Sequence, residues 1–556
     1  MGFNSLPGPA LTPERNGGFS MSQMNAVPVL SAGGRRPPLD AYFHYTRRGG
    51  TLGGEIAAGL FTGILSVCGI FLNMQLVAKL QISGGYAASN AAQAAANGEI
   101  YARLYFFSML LAFVGSLAVG LVARLPLVQV SGLGLSTVVV SLAGTADGLT
   151  YSNLLVLCFF SSMAYAALVS IPGVRRVVVS VVPAPVRRAL PAAAGLLMAW
   201  MAAQLTGLIS VNASAVSAYG AGTVFADMNS RVAMPTLIDF GNFTYAADRY
   251  HPLMLVSTLS VIFTFVVWLV LKRCSRHPGL YALLLGTGLF LVLDLCAVCI
   301  NWKNFGMSLD SMWGRLWMVG SEDALHHHFP QILSAFSIGK IFSEGLDFSA
   351  YAANGGNVPL LFSAGLLTVL LSQLLDAQAV LDAVEERCGS AEGERHRADL
   401  ALMCNAGAGI IASLVGVVPL SLGKESCAGA EDGGRSGLTS IAACAVLFVS
   451  MFVWVVPFFF STAMSYDVAF TMYGHYGETL QAITECSFAV ADAVMVIVGL
   501  SMAARSMEIN WRDATQAVPF CACVVGTLFL SSLVCGAVVG TAAYLLLVPR
   551  NGKLSQ

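Results

Sequence analysis

Apolar runs separated by short polar breaks fill most of the chain between Ile56 and Val548. A helix needs about 20 predominantly apolar residues to cross the hydrocarbon core of a bilayer. The run 515–549 is too long for one crossing and contains Gly536 and Gly540, so it is divided into two. The pattern predicts fourteen membrane spans, two of them short and broken, at 56–79, 104–123, 126–143, 150–171, 189–210, 252–272, 278–300, 357–378, 400–420, 422–430, 438–460, 488–506, 515–532 and 534–549.

Composition supports a membrane protein. The chain has 556 residues, of which 56% are hydrophobic and only 11% are charged, and its mean hydropathy is +0.73. Soluble domains have about 25% charged residues, so this chain cannot cover a surface that faces water. The net charge of −1 argues against nucleic acid as a partner. The expected fold class is therefore an all-α polytopic membrane protein whose partner is the lipid bilayer.

The distribution of Lys and Arg predicts that both chain ends lie inside, because short cytoplasmic loops are enriched in these residues. The sequons at Asn212 and Asn242 then fall in an outside loop. Residues 1–40 are expected to form a disordered cytoplasmic tail, and 550–556 a short cytoplasmic tail. Residues 301–356 are expected to form an extracellular or lumenal loop, and the default membrane is the plasma membrane.

Two segments in corresponding positions of the two halves share one pattern. A proline-containing, β-prone stretch at 125–130 leads into the Gly-rich segment 131–136, and 416–422 leads into 423–426. Paired broken helices indicate the midplane site of a transporter, because a helix start presents free N–H groups to the substrate. The alternative is one Gly-rich packing helix and one ordinary loop. The first interpretation predicts short β segments in spans 3 and 10.

Four acidic residues lie inside predicted spans, where an ionisable group is costly and usually faces a cavity. Asp376 follows Gln373 on one helix face, and Glu425 lies in the second broken segment. Both are expected to be functional, whereas Asp294 and Asp492 are expected to bind a neighbouring helix.

Several other kinds of chemistry are not indicated. The run 326–328 of three histidines lies in the predicted outside loop and is interpreted as exposed, so no metal is expected. The chain has no Walker A, HExxH or GxSxG motif, which argues against an ATP pump and against familiar membrane hydrolases. A transporter without a bound cofactor, and not an enzyme, is the expectation.

Short motifs lie along nearly the whole chain, in the same order as the motifs of one known family. They occupy 42–59, 131–137, 371–377, 425–429, 433–439 and 505–511. They resemble the motifs of the AzgA-like purine permeases, a branch of the nucleobase–cation symporter (xanthine/uracil permease) superfamily. The most specific match is Gly-Gly-Arg-Ser-Gly-Leu-Thr at 433–439, where the family has Thr in the fourth position.

The resemblance implies two inverted seven-helix repeats, at 41–300 and 357–549, divided into core and gate domains. It implies uptake of purine nucleobases with protons by alternating access, and it allows a homodimer. The implied substrate-binding residues are Gly132, Gly134, Ser136, Gln373, Glu425 and Ser426. Asp376 and Glu425 are implied in coupling, with a proton or another cation as the coupling ion.

Three positions depart from the family pattern. Ser136 replaces an asparagine, Gln373 replaces an acid, and Lys424 interrupts a threonine-rich approach to Glu425. A glutamine donates and accepts hydrogen bonds, whereas a carboxylate only accepts them, so substrate preference and ion coupling are open to change. Two alternatives remain. One is an anion exchanger of the same fold, favoured by Lys424 and disfavoured by the two acids. The other is a transport-dead sensor or scaffold, which would show no saturable uptake.

Overall fold

The computed structural model describes residues 37–78, 80, 91–145, 149–171, 182–205, 210–211, 235–236, 251–300, 338–388, 395–452, 489–503 and 509–547. This part of the chain is almost entirely helical. The elements of its first half are α1 (Pro38–Phe43), α2 (Leu52–Ala78), α3 (Ala91–Ala118), β1 (Gln129–Ser131), α4 (Leu133–Thr145), α5 (Tyr151–Ser170), α6 (Ala184–Leu205), β2 (Ser210–Val211), β3 (Pro235–Thr236), α7 (His251–Cys274) and α8 (Pro278–Ile300).

A π-helical turn at Val119–Ala123 extends α3, and β2 pairs with β3 antiparallel. The second half of the chain is also mainly helical. The remaining elements are α9 (Ile338–Gly345), α10 (Ser349–Ala353), α11 (Val358–Cys388), α12 (Arg395–Val415), β4 (Leu420–Leu422), α13 (Glu425–Glu431), α14 (Gly437–Phe452), α15 (Ala489–Ala503), α16 (Ala514–Leu530) and α17 (Leu533–Leu547).

Each predicted span falls on a helix of the described chain, and spans 3 and 10 begin with a strand. Five stretches are long and apolar enough to cross a membrane, namely Leu52–Phe71, Arg103–Ala123, Tyr151–Ser170, Val358–Cys388 and His396–Val415. The prediction of an integral, multi-pass membrane protein is confirmed. The number of crossings stays a prediction.

The structure refines the predicted boundaries. The segment 301–356, which was expected to be a loop, contains α9 and α10 in its described part. Helix α1 begins at Pro38, so helical structure starts before the predicted end of the tail. The two sequons and the three histidines at 326–328 lie outside the described residues.

The helices pack in two groups. In the first, α2 packs against α3, α13 and α14, while α5 packs against α11 and α12. In the second, α6 packs against α15, α16 and α17, and α7 packs against α8 and α15. An apolar cluster with Val186, Phe520 and Leu533 includes Leu375 and Ala379 of α11. Helix α11 therefore joins the second group to the first.

Glycines set the spacing between helices in both groups. A methyl group on Gly437 of α14 would overlap the carbonyl of Gly120 at the end of α3. A methyl group on Gly499 of α15 would overlap the carbonyl of Gly195 in α6. Small residues allow helices to approach this closely in a membrane, where dispersion contacts drive association.

Glu55 joins the start of α2 to the start of α14. Its Oε1 accepts a hydrogen bond from the backbone N–H of Arg435 at 3.0 Å. Its Oε2 accepts from the N–H of Ser436 at 3.2 Å, the hydroxyl of Ser436 at 3.0 Å and the hydroxyl of Thr439 at 2.6 Å. The carboxylate thus satisfies N–H groups that precede the helix and lack helical acceptors. This contact gives the motif at 433–439 a structural role.

The end of α13 contacts the start of α8 in the second group. The carboxylate of Asp432 accepts hydrogen bonds from the N–H groups of Gly279 at 2.8 Å and Leu280 at 3.4 Å. The ring of His277 lies 2.7 Å from the carbonyl oxygen of Asp432. The short helix that carries Glu425 is therefore held at its far end by the other packing group.

Candidate functional site

The two broken segments lie side by side. Strand β1 pairs antiparallel with β4, and Val130 lies opposite Ser421. Pro126 and Pro419 lack a backbone N–H and disfavour a helical conformation in the residue before them, so a continuous helix is disfavoured at both places. Each strand leads within a few residues into a helix, α4 or α13. The predicted strand-to-helix pattern in both halves is present.

Hydrogen bonds join the two broken segments where β1 and β4 pair, and this place is called the crossing below. Gly423 N–H donates to the carbonyl of Val128 at 2.8 Å. Val128 N–H donates in turn to the hydroxyl of Ser426 at 2.9 Å. Ser426, predicted to bind substrate, therefore places its hydroxyl against the opposite segment. Asn73 of α2 adds a bond from its amide nitrogen to the hydroxyl of Ser131.

Glu425 lies at the first position of α13 and is 6% exposed. Its carboxylate fits between two glycines: a Cβ on Gly69 of α2 would lie 2.7 Å from Oε1, and a Cβ on Gly423 would lie 2.6 Å from Oε2. Within the part of the chain that the structure describes, Oε2 has no hydrogen-bond partner. A buried acceptor without a partner is costly. Oε2 therefore has an unmet hydrogen-bonding capacity that a ligand N–H group could meet.

Asp376 of α11 forms an ion pair with Lys424. Lys424 Nζ lies 3.1 Å from Asp376 Oδ1, and the two side chains are 12% and 9% exposed. A Cβ on Gly134 would lie 3.3 Å from Lys424 Nζ, and one on Gly132 would lie 3.8 Å from Asp376 Oδ2. The ion pair therefore lies against the start of α4, where Gly132 and Gly134 leave room for it.

Gln373 and Ser136 are the remaining predicted site residues. Gln373 Nε2 donates to the hydroxyl of Ser162 in α5 at 2.9 Å, which turns the amide towards α5. Gln373 Oε1 and the hydroxyl of Ser136 are buried and lack partners among the described residues. Both could accept hydrogen bonds from a ligand or from water.

Other acidic residues have different surroundings. Asp492 lies buried in α15, which packs against α13. Asp294 lies in α8, and its side chain is outside the described part of the structure. Among the described residues, no group of three or more His, Cys, Asp or Glu side chains could hold a metal ion.

Sequence reasoning did not assign site roles to Gly69 or Ser162. Ser162 carries a weak signal, because it follows Ser161 within the apolar run of α5. Gly69 carries none, since one glycine among several in α2 does not reveal that a carboxylate lies above it. Its role follows from the close approach of α2 and α13, which only the fold shows.

Comparison with known proteins finds sequence relatives that are named as permeases. No family model matches the chain. The adenine permease AdeQ of Escherichia coli is 21% identical over 523 residues, which cover 93% of this chain and 91% of the permease. The guanine/hypoxanthine permease PbuG of Bacillus subtilis is 22% identical over 520 residues, which cover 93% of this chain and 96% of that protein.

A solved structure is also similar. The transmembrane domain of the cyanobacterial bicarbonate transporter BicA matches with a TM-score of 0.42 and 12% identity, covering 88% of this chain and 97% of that domain. The sequence relatives extend over nearly the full length of both proteins. The resemblance to purine permeases predicted from the motifs is confirmed.

Proposed function

We propose that this chain is a permease for purine nucleobases of the adenine, hypoxanthine and guanine class. The observation that carries the proposal is the buried Oε2 of Glu425, which faces the crossing without a partner among the described residues. Relatives named adenine permease and guanine/hypoxanthine permease over 93% of the chain support the same substrate class.

The chemistry of the site suits a purine. The base presents ring or amino N–H groups. Glu425 carries the proton while the base moves, and in this form it keeps an acceptor oxygen for such an N–H group and gains an O–H donor. Gln373 Oε1 offers a second acceptor. The first N–H groups of α4 have no helical acceptors, so they can donate to a carbonyl or ring nitrogen of the base.

The two packing groups support a proposal of alternating access. In this proposal, the group with the crossing is the core and the group with α6 and α15 is the gate. The chain contains two inverted seven-helix repeats, at 41–300 and 357–549, with fourteen crossings. The base moves together with a proton, which Glu425 takes up and releases. Residence in the plasma membrane and a homodimer remain predictions.

An anion exchanger is less well supported. The ammonium of Lys424 is already paired with Asp376 at 3.1 Å, so its charge is not available to an anion. The nearby carboxylate of Glu425 would also repel one. A transport-dead scaffold makes no use of the unpaired Oε2.

The test is uptake of radiolabelled adenine, hypoxanthine, guanine, xanthine and uracil by cells that lack nucleobase carriers. We expect saturable uptake of a purine that increases at acid pH. Glu425→Gln should abolish uptake and leave the protein in the membrane, because a glutamine cannot take up and release a proton. Glu344→Gln, at an exposed glutamate of α9, is the matched control. Normal uptake by Glu425→Gln would remove Glu425 from the site.

A further inference from the structure

The two acids of the crossing differ in how their charge is balanced. Asp376 Oδ1 lies 3.1 Å from Lys424 Nζ, whereas Glu425 Oε2 has no partner among the described residues. Lys424 and Glu425 are adjacent in sequence, yet the lysine side chain pairs with the acid of a different helix. Among the described residues, the first carboxylate thus has a cation in contact, whereas Oε2 of the second has no partner.

The compensating charge lies inside the protein rather than on its surface. Both side chains of the ion pair are nearly buried, and Gly134 at the start of α4 leaves space beside them. A carboxylate buried in a medium of low dielectric constant needs a counter-charge. A carrier that binds a cation obtains this charge from solution. Here an ammonium group attached to the chain already supplies it.

Charged and titratable groups lie on every element packed against α13. Asp376 of α11 and Lys424 act on Glu425 directly, while Asp492 of α15 and Glu425 both act on the Cys68 thiol of α2. Arg387, also on α11, pairs with Glu431 at the far end of α13. Of the two cations, Lys424 is the one that acts on Glu425, and its contact at 3.1 Å is with Asp376.

We propose that Lys424 takes the place of a coupling cation at Asp376, so that Glu425 is the only carboxylate of the site that binds a proton during transport. This assignment rests on the proposed purine transport. In each cycle Glu425 takes one proton from the side where the base enters and releases that proton where the base leaves. Asp376 and Lys424 stay paired and position each other beside α4.

The first test uses the wild-type protein in liposomes and needs no variant. Uptake of radiolabelled adenine, hypoxanthine or guanine is balanced against an imposed pH gradient, and the balance point gives the number of protons per base. The proposal expects one proton. Uptake with two protons per base overturns this assignment alone. Uptake with no proton also overturns the proposed proton coupling, and absence of uptake of every purine overturns the proposed function as a whole.

The second test separates the two acids. Lys424→Met leaves Asp376 without its counter-charge, and we expect uptake at neutral pH to fall about tenfold or more and to recover partly on acidification. The double variant Asp376→Asn/Lys424→Met removes both charges and should recover part of the lost uptake with one proton per base. Uptake by the double variant that does not respond to a pH gradient would place the coupling proton on Asp376 and contradict the proposal.

Discussion

Two buried glutamates of the first packing group differ in what surrounds them. Glu55 is 0% exposed and its carboxylate accepts four hydrogen bonds from the segment before and at the start of α14. Glu425 is 6% exposed, and its Oε2 accepts none from the described residues. Burial of an acid in a membrane protein is therefore not enough to indicate function. The unmet hydrogen bond distinguishes the two.

Helix α2 carries one of these glutamates and contacts the other. Glu55 lies in the first turn of α2, and Gly69 lies further along it, against the carboxylate of Glu425. Helix α2 is thus fixed to α14 at its start and leaves space for an acid of α13 near its middle. A rigid scaffold of this kind holds a binding carboxylate in place without satisfying it.

The largest expected effect is on stability at Glu55. Glu55→Ala leaves the N–H groups of Arg435 and Ser436 and two hydroxyls without their acceptor in a buried place. The free energy of unfolding should fall by about 3–5 kcal/mol. Thermal unfolding of the purified protein in detergent measures this loss.

Glu55→Gln is the matched control, since it keeps the shape and one acceptor but turns an N–H group towards the donors. It should lose less stability than Glu55→Ala. If Glu55→Ala unfolds at the wild-type temperature but loses uptake, then Glu55 is a functional acid and the distinction between the two glutamates is wrong.

The next effect concerns uptake rather than stability. Gly69→Ala places a Cβ 2.7 Å from Glu425 Oε1. The carboxylate lies at the end of a flexible side chain, so it can move away at little cost in stability, but it then leaves its binding position. We expect KM for the purine to increase about tenfold, which corresponds to about 1.4 kcal/mol of binding free energy.

Gly407→Ala is the control for this change, because a Cβ at Gly407 of α12 would meet no atom within 4 Å. It adds a methyl group to a helix glycine without approaching the site, so its KM should equal that of the wild type. Equal KM values for Gly69→Ala and Gly407→Ala would show that the position of the Glu425 carboxylate does not limit binding.

Some parts of this structure are readable from sequence for simple physical reasons. The apolar runs locate the helices, because a span must be apolar over a fixed length. The prolines and glycines around 125–136 and 416–426 indicate the two broken segments, since they disfavour a continuous helix. These are local properties of the chain, and the structure contains the elements that they predict.

The bonding state of each site residue could not be predicted in this way. The sequence showed only that Lys424 precedes Glu425, whereas the structure pairs Lys424 with Asp376. Likewise, Gln373 turns to Ser162 of α5. Both contacts join residues far apart in sequence, and they depend on how α11 packs against α5 and α13. Substrate roles for these residues stay predictions.

The smallest expected effect comes from an acid that is bonded like Glu55 but lies at a helix end near water. Asp513 precedes α16, and its carboxylate accepts from the N–H of Thr515 at 3.0 Å, the hydroxyl of Thr515 at 2.7 Å and Gln516 Nε2 at 3.2 Å. Hydrogen bonds from the hydroxyl and N–H of Thr515 lower the pKa of Asp513 below its usual 3.8.

Asp513→Ala removes the hydrogen bonds of an acid that is less buried than Glu55, so it tests hydrogen bonding apart from burial. Because the folded-state pKa is lower than the unfolded one, the stabilisation is present at neutral pH and is lost as the pH falls below about 4. The variant should unfold slightly below the wild-type temperature at pH 7, and the difference should narrow in acid. Water can replace Asp513 as an acceptor but cannot reach the donors around Glu55. If Asp513→Ala loses as much stability as Glu55→Ala, then the number of hydrogen bonds, and not burial, determines how much each acid stabilises the protein.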